Sequence, residues 1–176
     1  MRLFVGLRPP APVLDAVAAV RRPEHPALRW TTRDQWHLTL RFLGEVDDGD
    51  VPALTQALER RLAGHPAVTV TLGPAVEWLG SRRLGVLVVP AAGAEGLAAA
   101  VVEGTSGFGG PPEPRPFRGH LTLARVRTGR SVPTGLAGEL VRASWAADRV
   151  ALVRSRLHAE GARYETVVEV PLVAGG

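Results

Sequence analysis

The tetrapeptide His-Leu-Thr-Leu occurs at residues 37–40 and again at residues 120–123. The second copy begins 83 positions after the first (120 minus 37), and each is followed by an arginine, Arg41 directly and Arg125 after one intervening residue. The chain holds only five histidines, so a chance repeat of four residues that includes one is improbable. The repeat therefore predicts a duplicated unit whose two halves face each other.

Each copy lies in a segment that predicts a β-strand, over residues 36–46 (WHLTLRFLGEV) and 119–127 (GHLTLARVR). Successive strand residues point to opposite faces of a sheet, so a histidine and the threonine two positions later share one face. The leucines then take the other face and anchor the strands in the core. We expect both histidines and both threonines to project into one cleft.

Two histidines and two threonines around one point suit in-line displacement at phosphorus. A neutral histidine can take a proton from the attacking water, while a protonated histidine gives one to the departing ribose oxygen. The threonine hydroxyls can donate to the non-bridging phosphate oxygens. These roles predict His37 and His120 as catalytic residues, with Thr39 and Thr122 as phosphate ligands.

A metal site is the alternative interpretation of paired histidines. Two histidines are fewer than a typical zinc site uses, and no acidic residue shares the face of either motif. The chain has no cysteine, which excludes thiolate zinc sites, disulfides and cysteine nucleophiles. We therefore expect no metal and no other cofactor.

The basic residues are all arginine, because the sequence contains no lysine. Isoleucine and asparagine are absent too, which a GC-rich genome would explain, although the planar arginine fork also suits phosphate. A formal net charge of +4 fits a phosphate-bearing ligand without requiring nucleic acid. No apolar stretch approaches the roughly 20 residues that span a bilayer, so we expect a cytoplasmic protein that does not enter membranes.

The remaining segments predict an α+β protein with helices outside mainly antiparallel strands. Strands are predicted at 2–8, 36–46, 119–127, 149–158 and 164–172, helices at 12–22, 51–62 and 94–102, and an irregular loop at 104–116. Two further β-rich runs, 68–79 and 84–89, predict a hairpin around the turn at 80–83. Asp50 is a candidate N-cap for the second helix, which Gly64 follows.

Taken together, these segments resemble the two-histidine (2H) phosphoesterase superfamily, specifically its RNA 2′,3′-cyclic phosphodiesterases, historically called LigT-like 2′-5′ RNA ligases. The likeness covers nearly the whole chain, through RLFVGL at 2–7, WHLTLRFLGEV at 36–46, RPFRGHLTLARVR at 115–127 and LVRSRLHAEGARYETVVEVPL at 152–172. One departure is Gly119, which stands where the family commonly has proline before the second motif.

The resemblance implies that residues 1–176 form a single two-lobed domain with one motif per lobe. Two mainly antiparallel sheets with outer helices would be related by pseudo-two-fold symmetry around a central cleft. The implied activity is hydrolysis of an RNA 2′,3′-cyclic phosphate end to a 2′-phosphate, without metal, and we expect a monomer. Alternatives are the same fold acting on another cyclic nucleotide, 2′-5′ joining of RNA ends, or a non-catalytic RNA-binding module.

By matching motif positions, the resemblance also implies the roles of single residues. His37 and His120 are the acid and base, with a preference for His37 as the acid, and Thr39 and Thr122 are phosphate ligands. Arg125 is the next candidate phosphate contact. Further candidate substrate contacts are Phe117, Arg118, Tyr164 and Arg41.

Overall fold

Ten strands and three α-helices form in residues 1–158 and 161–174, which are the residues that the computed structural model describes. The strands are β1 Arg2–Leu7, β2 Leu28–Trp30, β3 Leu38–Glu45, β4 Val68–Leu72, β5 Glu77–Leu79, β6 Val86–Ala92, β7 His120–Val126, β8 Ala143–Ala147, β9 Arg149–His158 and β10 Gly161–Pro171. The helices are α1 Ala11–Ala18, α2 Val51–Leu62 and α3 Glu95–Gly104. Short 3₁₀ turns cover Arg33–Gln35 and Asp48–Asp50.

The named strands pair in antiparallel fashion along the path β10-β9-β1-β3-β7-β6-β4-β8, and β2 and β5 add to β7 and β6. This confirms the predicted α+β class. The two motif strands, β3 and β7, are neighbours in the middle of the path and pair at one position, Leu38 with Leu121. The two expected sheets are therefore joined into one curled sheet at the centre of the repeat.

The duplication extends beyond the tetrapeptide to a strand, a helix and a motif strand in each half. The first unit is β1, α1 and β3, with β1 paired to β3, and the second is β6, α3 and β7, with β6 paired to β7. Helix α3 packs on β3, the motif strand of the other unit. All four motif leucines lie in the core, as predicted, with exposed fractions of 4% or less.

Two helix ends differ from the sequence predictions. Helix α1 ends at Ala18, before the arginines that were expected in its last turn, and Arg22 Nη2 instead donates to the Ala18 carbonyl at 2.6 Å. Helix α2 has the predicted bounds, but the Asp50 side chain makes no capping hydrogen bond. Asp50 ends a 3₁₀ turn and already has helical backbone angles, whereas a capping residue needs an extended backbone.

The β-rich run predicted at 68–79 is two strands rather than one. It divides at the cis peptide bond between Gly73 and Pro74, after which β5 forms the predicted hairpin with β6. Strand β4 pairs with the other end of β6 and with β8. The predicted strand pair at the end of the chain is present as β9 and β10, although residues 159–160 lie outside the described residues. None of the described helices is long and apolar enough to cross a membrane.

Candidate active site

The two motif strands carry the same β-bulge directly after the threonine. In β3, Thr39 pairs with Gly6 and Arg41 with Val5, and in β7, Thr122 pairs with Val88 and Ala124 with Leu87. In both cases the motif strand advances by two residues while its partner advances by one. The extra residue reverses the alternation of faces beyond this point.

The bulge decides which residues beyond the motif reach the cleft. Without it, Arg41 and Ala124 would share a face with the histidines, but both are buried. Phe42 and Arg125 instead line the cleft, each five positions after its motif histidine (42 minus 37, 125 minus 120). The two units therefore offer one aromatic ring and one cation at equivalent positions.

Each histidine ring is held by a hydrogen bond to the backbone carbonyl two residues earlier in the chain. Nδ1–H of His37 donates to the carbonyl oxygen of Gln35 at 2.7 Å, and Nδ1–H of His120 donates to the carbonyl oxygen of Arg118 at 2.8 Å. A carbonyl can only accept, so Nδ1 carries the hydrogen in both rings. Nε2 is therefore the atom of each ring that is left to exchange a proton with a substrate.

The ring of His37 is enclosed by two aromatic side chains. It stacks on Phe4 with ring centroids 4.5 Å apart and meets the Tyr164 ring edge-on at 4.9 Å. The pKa of His37 is lowered to about 4, mainly by burial. The Gln35 hydrogen bond raises it, and the positive charges of Arg125 and Arg8 lower it. His37 is therefore neutral at pH 7, and its Nε2 accepts a hydrogen bond from the Thr39 hydroxyl at 3.0 Å.

The cleft has a volume of about 260 Å³. Of the predicted site residues, the structure places His37, Thr39, Arg125 and Tyr164 in its lining. Further lining residues include Arg2, Phe4, Arg29, Phe42, Ser155 and Leu157. His120 and Thr122 are not part of this lining. They lie on β7, beside the Leu38–Leu121 pair that joins the motif strands, and His120 is close enough for its charge to lower the pKa of His37.

Two other predicted contacts lie outside the cleft lining. Phe117 is partly buried against the hydrophobic core. The guanidinium of Arg118 pairs with Glu77 at 2.8 Å, so its contribution to the site is the carbonyl that orients His120. Among the described residues, no three histidine, aspartate or glutamate side chains come together as a metal site would require.

Arg41 was predicted as a substrate contact, and the structure corrects this prediction. Its side chain is 4% exposed, because the bulge turns it away from the cleft. Nη1 donates to the Val102 carbonyl and to Thr105 Oγ1, and Nη2 donates to the carbonyls of Phe108 and Gly110, at distances of 2.6–3.1 Å. Arg41 thus fixes the start of the predicted irregular loop at 104–116, which leads to the second motif.

Replacing Arg41 with methionine is expected to lower the free energy of unfolding by about 3 kcal/mol, because one buried and three partly buried acceptors lose a charged donor. Urea unfolding measures the change. Arg60→Met is the matched control, since Arg60 is exposed on α2, and it should change stability by less than about 0.5 kcal/mol. Equal effects of the two substitutions would contradict a structural role for Arg41.

Phe42 is a cleft residue that was not predicted, although the sequence contains a signal for it. Phe42 stands at the same offset from its histidine as Arg125, so alignment of the two repeats would have placed both together. Phe4 and Arg29 had no comparable signal. They reach the cleft only because β1 pairs with β3 and β2 pairs with β7.

Comparisons with known proteins agree on one family. Residues 9–159 match the family model of the 2′-5′ RNA ligase superfamily. The chain is 34% identical over 184 aligned residues to an RNA 2′,3′-cyclic phosphodiesterase of Thermus thermophilus, covering 96% of this chain and 88% of that protein.

Solved structures with the same fold cover nearly the whole chain. TT0787 of Thermus thermophilus superimposes with a TM-score of 0.80 at 28% identity, over 98% of both chains. LigT of Escherichia coli in complex with 3′-AMP gives a TM-score of 0.75 at 29% identity, over 97% of both chains. At least one protein of this fold therefore binds a nucleotide.

Proposed function

Because the chain belongs to the 2′-5′ RNA ligase superfamily, we propose that it hydrolyses the 2′,3′-cyclic phosphate at an RNA end to a 2′-phosphate. The observation that carries the proposal is the matched pair of histidines, each fixed through Nδ1 on adjacent strands of the repeat. Residues 1–176 would act as a single two-lobed domain with one motif in each lobe. The proposal extends to a cytoplasmic monomer that needs no metal.

The proton transfers divide between the two Nε2 atoms. Water attacks phosphorus and gives a proton to the base, while the bond from phosphorus to the 3′-oxygen breaks and that oxygen takes a proton from the acid. Burial keeps His37 neutral, which suits the base, so we assign it this role in place of the acid role that was preferred from the sequence. His120 then supplies the proton to the leaving oxygen.

The remaining cleft residues fit the phosphate and the terminal nucleotide. Thr39 and Thr122 offer one hydroxyl from each motif to the non-bridging oxygens, whose charge grows in the transition state, and Thr39 exchanges its hydrogen bond to His37 Nε2 for one to the phosphate. The exposed guanidinium of Arg125 adds a charged donor beside them. The rings of Phe42 and Tyr164 border the same space and provide surfaces on which a base can stack.

Purified protein and an RNA oligonucleotide that ends in a 2′,3′-cyclic phosphate test this function directly. With EDTA present, we expect conversion to an RNA that ends in a 2′-phosphate, identified by mass and by nuclease mapping of the end. An inactive protein, a 3′-phosphate product or a requirement for added metal would each contradict the proposal.

The low pKa of His37 predicts where activity is lost in acid. The pH profile of kcat/KM reports ionisations of the free enzyme. A base must be deprotonated, so kcat/KM should rise with pH through about 4 and not through about 6.5, the ordinary histidine value. Tyr164→Ala removes one of the two aromatic side chains that enclose the His37 ring and admits water, so the pKa of His37 should rise. The rise of kcat/KM at low pH, which we call the acid limb, should then move to higher pH.

Phe42→Ala is the matched control for this profile. Phe42 also lines the cleft, but the ring contacts of His37 are with Phe4 and Tyr164. The substitution should change the height of the profile without moving its acid limb. A wild-type limb near 6.5, or equal movement in both variants, would contradict the assigned environment of His37.

A further inference from the structure

An arginine-rich groove continues from the cleft beside strands β2 and β7. Four arginines line it, Arg29, Arg125, Arg127 and Arg130, and its lining among the described residues includes no aspartate or glutamate. The groove has a volume of about 740 Å³. Arg29 and Arg125 also line the cleft, so the two spaces share a border. We call this space the arginine groove.

The arginine groove places like charges face to face. Arg29 and Arg125 are direct partners in the β2–β7 register, and both are exposed. Like charges directly opposite each other destabilise a pair of strands. Among the residues that the structure describes, none of the four groove arginines has a carboxylate within ion-pair distance. A bound polyanion would offset this repulsion.

Arginines elsewhere on the surface show that the fold does supply acidic partners. Arg33, Arg61 and Arg118 each pair with a carboxylate at 2.7–2.8 Å. Single exposed arginines without such a pair also occur outside the groove in the described part of the chain, as at Arg60 and Arg142, so what distinguishes the groove is the grouping of four of them in a lining that has no acidic residue. This grouping leaves the groove with an uncompensated charge of +4, counted from its four arginines.

The geometry of the groove suits an extended chain of phosphates. Arg125 is in β7 and Arg127 directly follows that strand, two residues further along the chain, which in an extended backbone separates them by about 7 Å. Nε of Arg127 donates to the Leu28 carbonyl at 2.8 Å, which holds the guanidinium in place while its two Nη groups are left for a ligand. Arg130 follows in a turn closed by its N–H on the Arg127 carbonyl.

We propose that the arginine groove binds the phosphodiester backbone of the RNA on the 5′ side of the nucleotide that carries the cyclic phosphate. The inference rests on the proposed function, because the cleft must hold that terminal nucleotide. Arg29 and Arg125 stand where the chain would leave the cleft, and Arg127 and Arg130 lie further along it. The preferred substrate is then the end of a single-stranded RNA and not a free cyclic mononucleotide.

The test compares two substrates in one variant, Arg127→Gln/Arg130→Gln. These residues lie beyond the cleft, so the variant should leave kcat/KM for a 2′,3′-cyclic mononucleotide within about twofold of wild type. For a ten-nucleotide RNA with the same end, KM should rise about tenfold, and the dependence of log KM on log salt should weaken by about 0.7 for each arginine removed. Circular dichroism verifies that the double variant is folded. Arg130→Gln alone, in an exposed turn, should show about half of the change in log KM for the RNA.

Arg60→Gln/Arg142→Gln is the control, with the same loss of charge at two exposed positions outside the groove. Equal changes for both substrates, or an equal effect of the control, would overturn the inference. If wild-type protein hydrolyses neither substrate, the proposed function fails, and anisotropy of a labelled RNA without the cyclic end still tests the groove. Weaker RNA binding by the groove variant than by the control supports the inference, and unchanged binding overturns it.

Discussion

Replacing either His37 or His120 with alanine is expected to lower kcat on an RNA 2′,3′-cyclic phosphate by roughly 10²–10⁴-fold, the usual contribution of one general acid or base. KM should change much less, because the threonines and Arg125 still hold the phosphate. The double variant should be little slower than the slower single variant, because two groups that act in one step do not contribute additively.

His65→Ala is the matched control for these variants. His65 also places Nδ1 on a backbone carbonyl, that of Pro66, but it lies between α2 and β4 and belongs to neither motif. Its substitution should leave kcat unchanged. Full activity of either motif variant, or a loss in the His65 variant of similar size, would contradict catalysis by the paired histidines.

Replacing Thr39 or Thr122 with valine is expected to lower kcat by about 10²–10³-fold, the effect of removing one preorganised donor from a transition-state anion. Valine has nearly the shape of threonine, so the change removes a hydroxyl and little else. Thr39→Val also removes the hydroxyl 3.0 Å from His37 Nε2. Only this variant should therefore alter the acid limb of the pH profile as well.

Thr71→Val tests whether any strand threonine would give the same result. Thr71 is exposed on β4 and belongs to neither motif, so kcat should stay within about twofold of wild type. Equal losses for Thr71→Val and Thr122→Val would indicate a general effect on folding. A motif variant with wild-type kcat would contradict the role of its hydroxyl.

The motif strands could be predicted because apolar and polar residues alternate along them. Alternation puts Leu38 and Leu121 on one face and the histidines on the other, and the structure buries both leucines completely. Helix α2 could likewise be bounded from its apolar spacing and Gly64. Predictions from local sequence of this kind are correct wherever pairing with another strand introduces no bulge.

The bulge after each threonine could not be predicted, since it depends on how β3 and β7 pair with β1 and β6. Arg41, which directly follows the first motif, was misplaced for this reason, because the bulge turns it away from the histidine face. Pairing between distant segments also decides the surroundings of His37. Phe4 and Tyr164 lie 160 positions apart in sequence (164 minus 4), and only the order of β1, β9 and β10 brings them together.

The division of proton transfers between the paired histidines is tested most directly by a substrate with sulfur in place of the 3′-oxygen of the cyclic phosphate. A thiolate leaves without needing a proton, so a missing general acid no longer matters, whereas a missing base still does. Single-turnover rates are measured for wild type, His37→Ala and His120→Ala on the oxygen and sulfur substrates. We predict that sulfur restores most of the lost rate to His120→Ala and none to His37→Ala. Restoration of His37→Ala instead, or of neither variant, would contradict the assignment of His37 as base and His120 as acid.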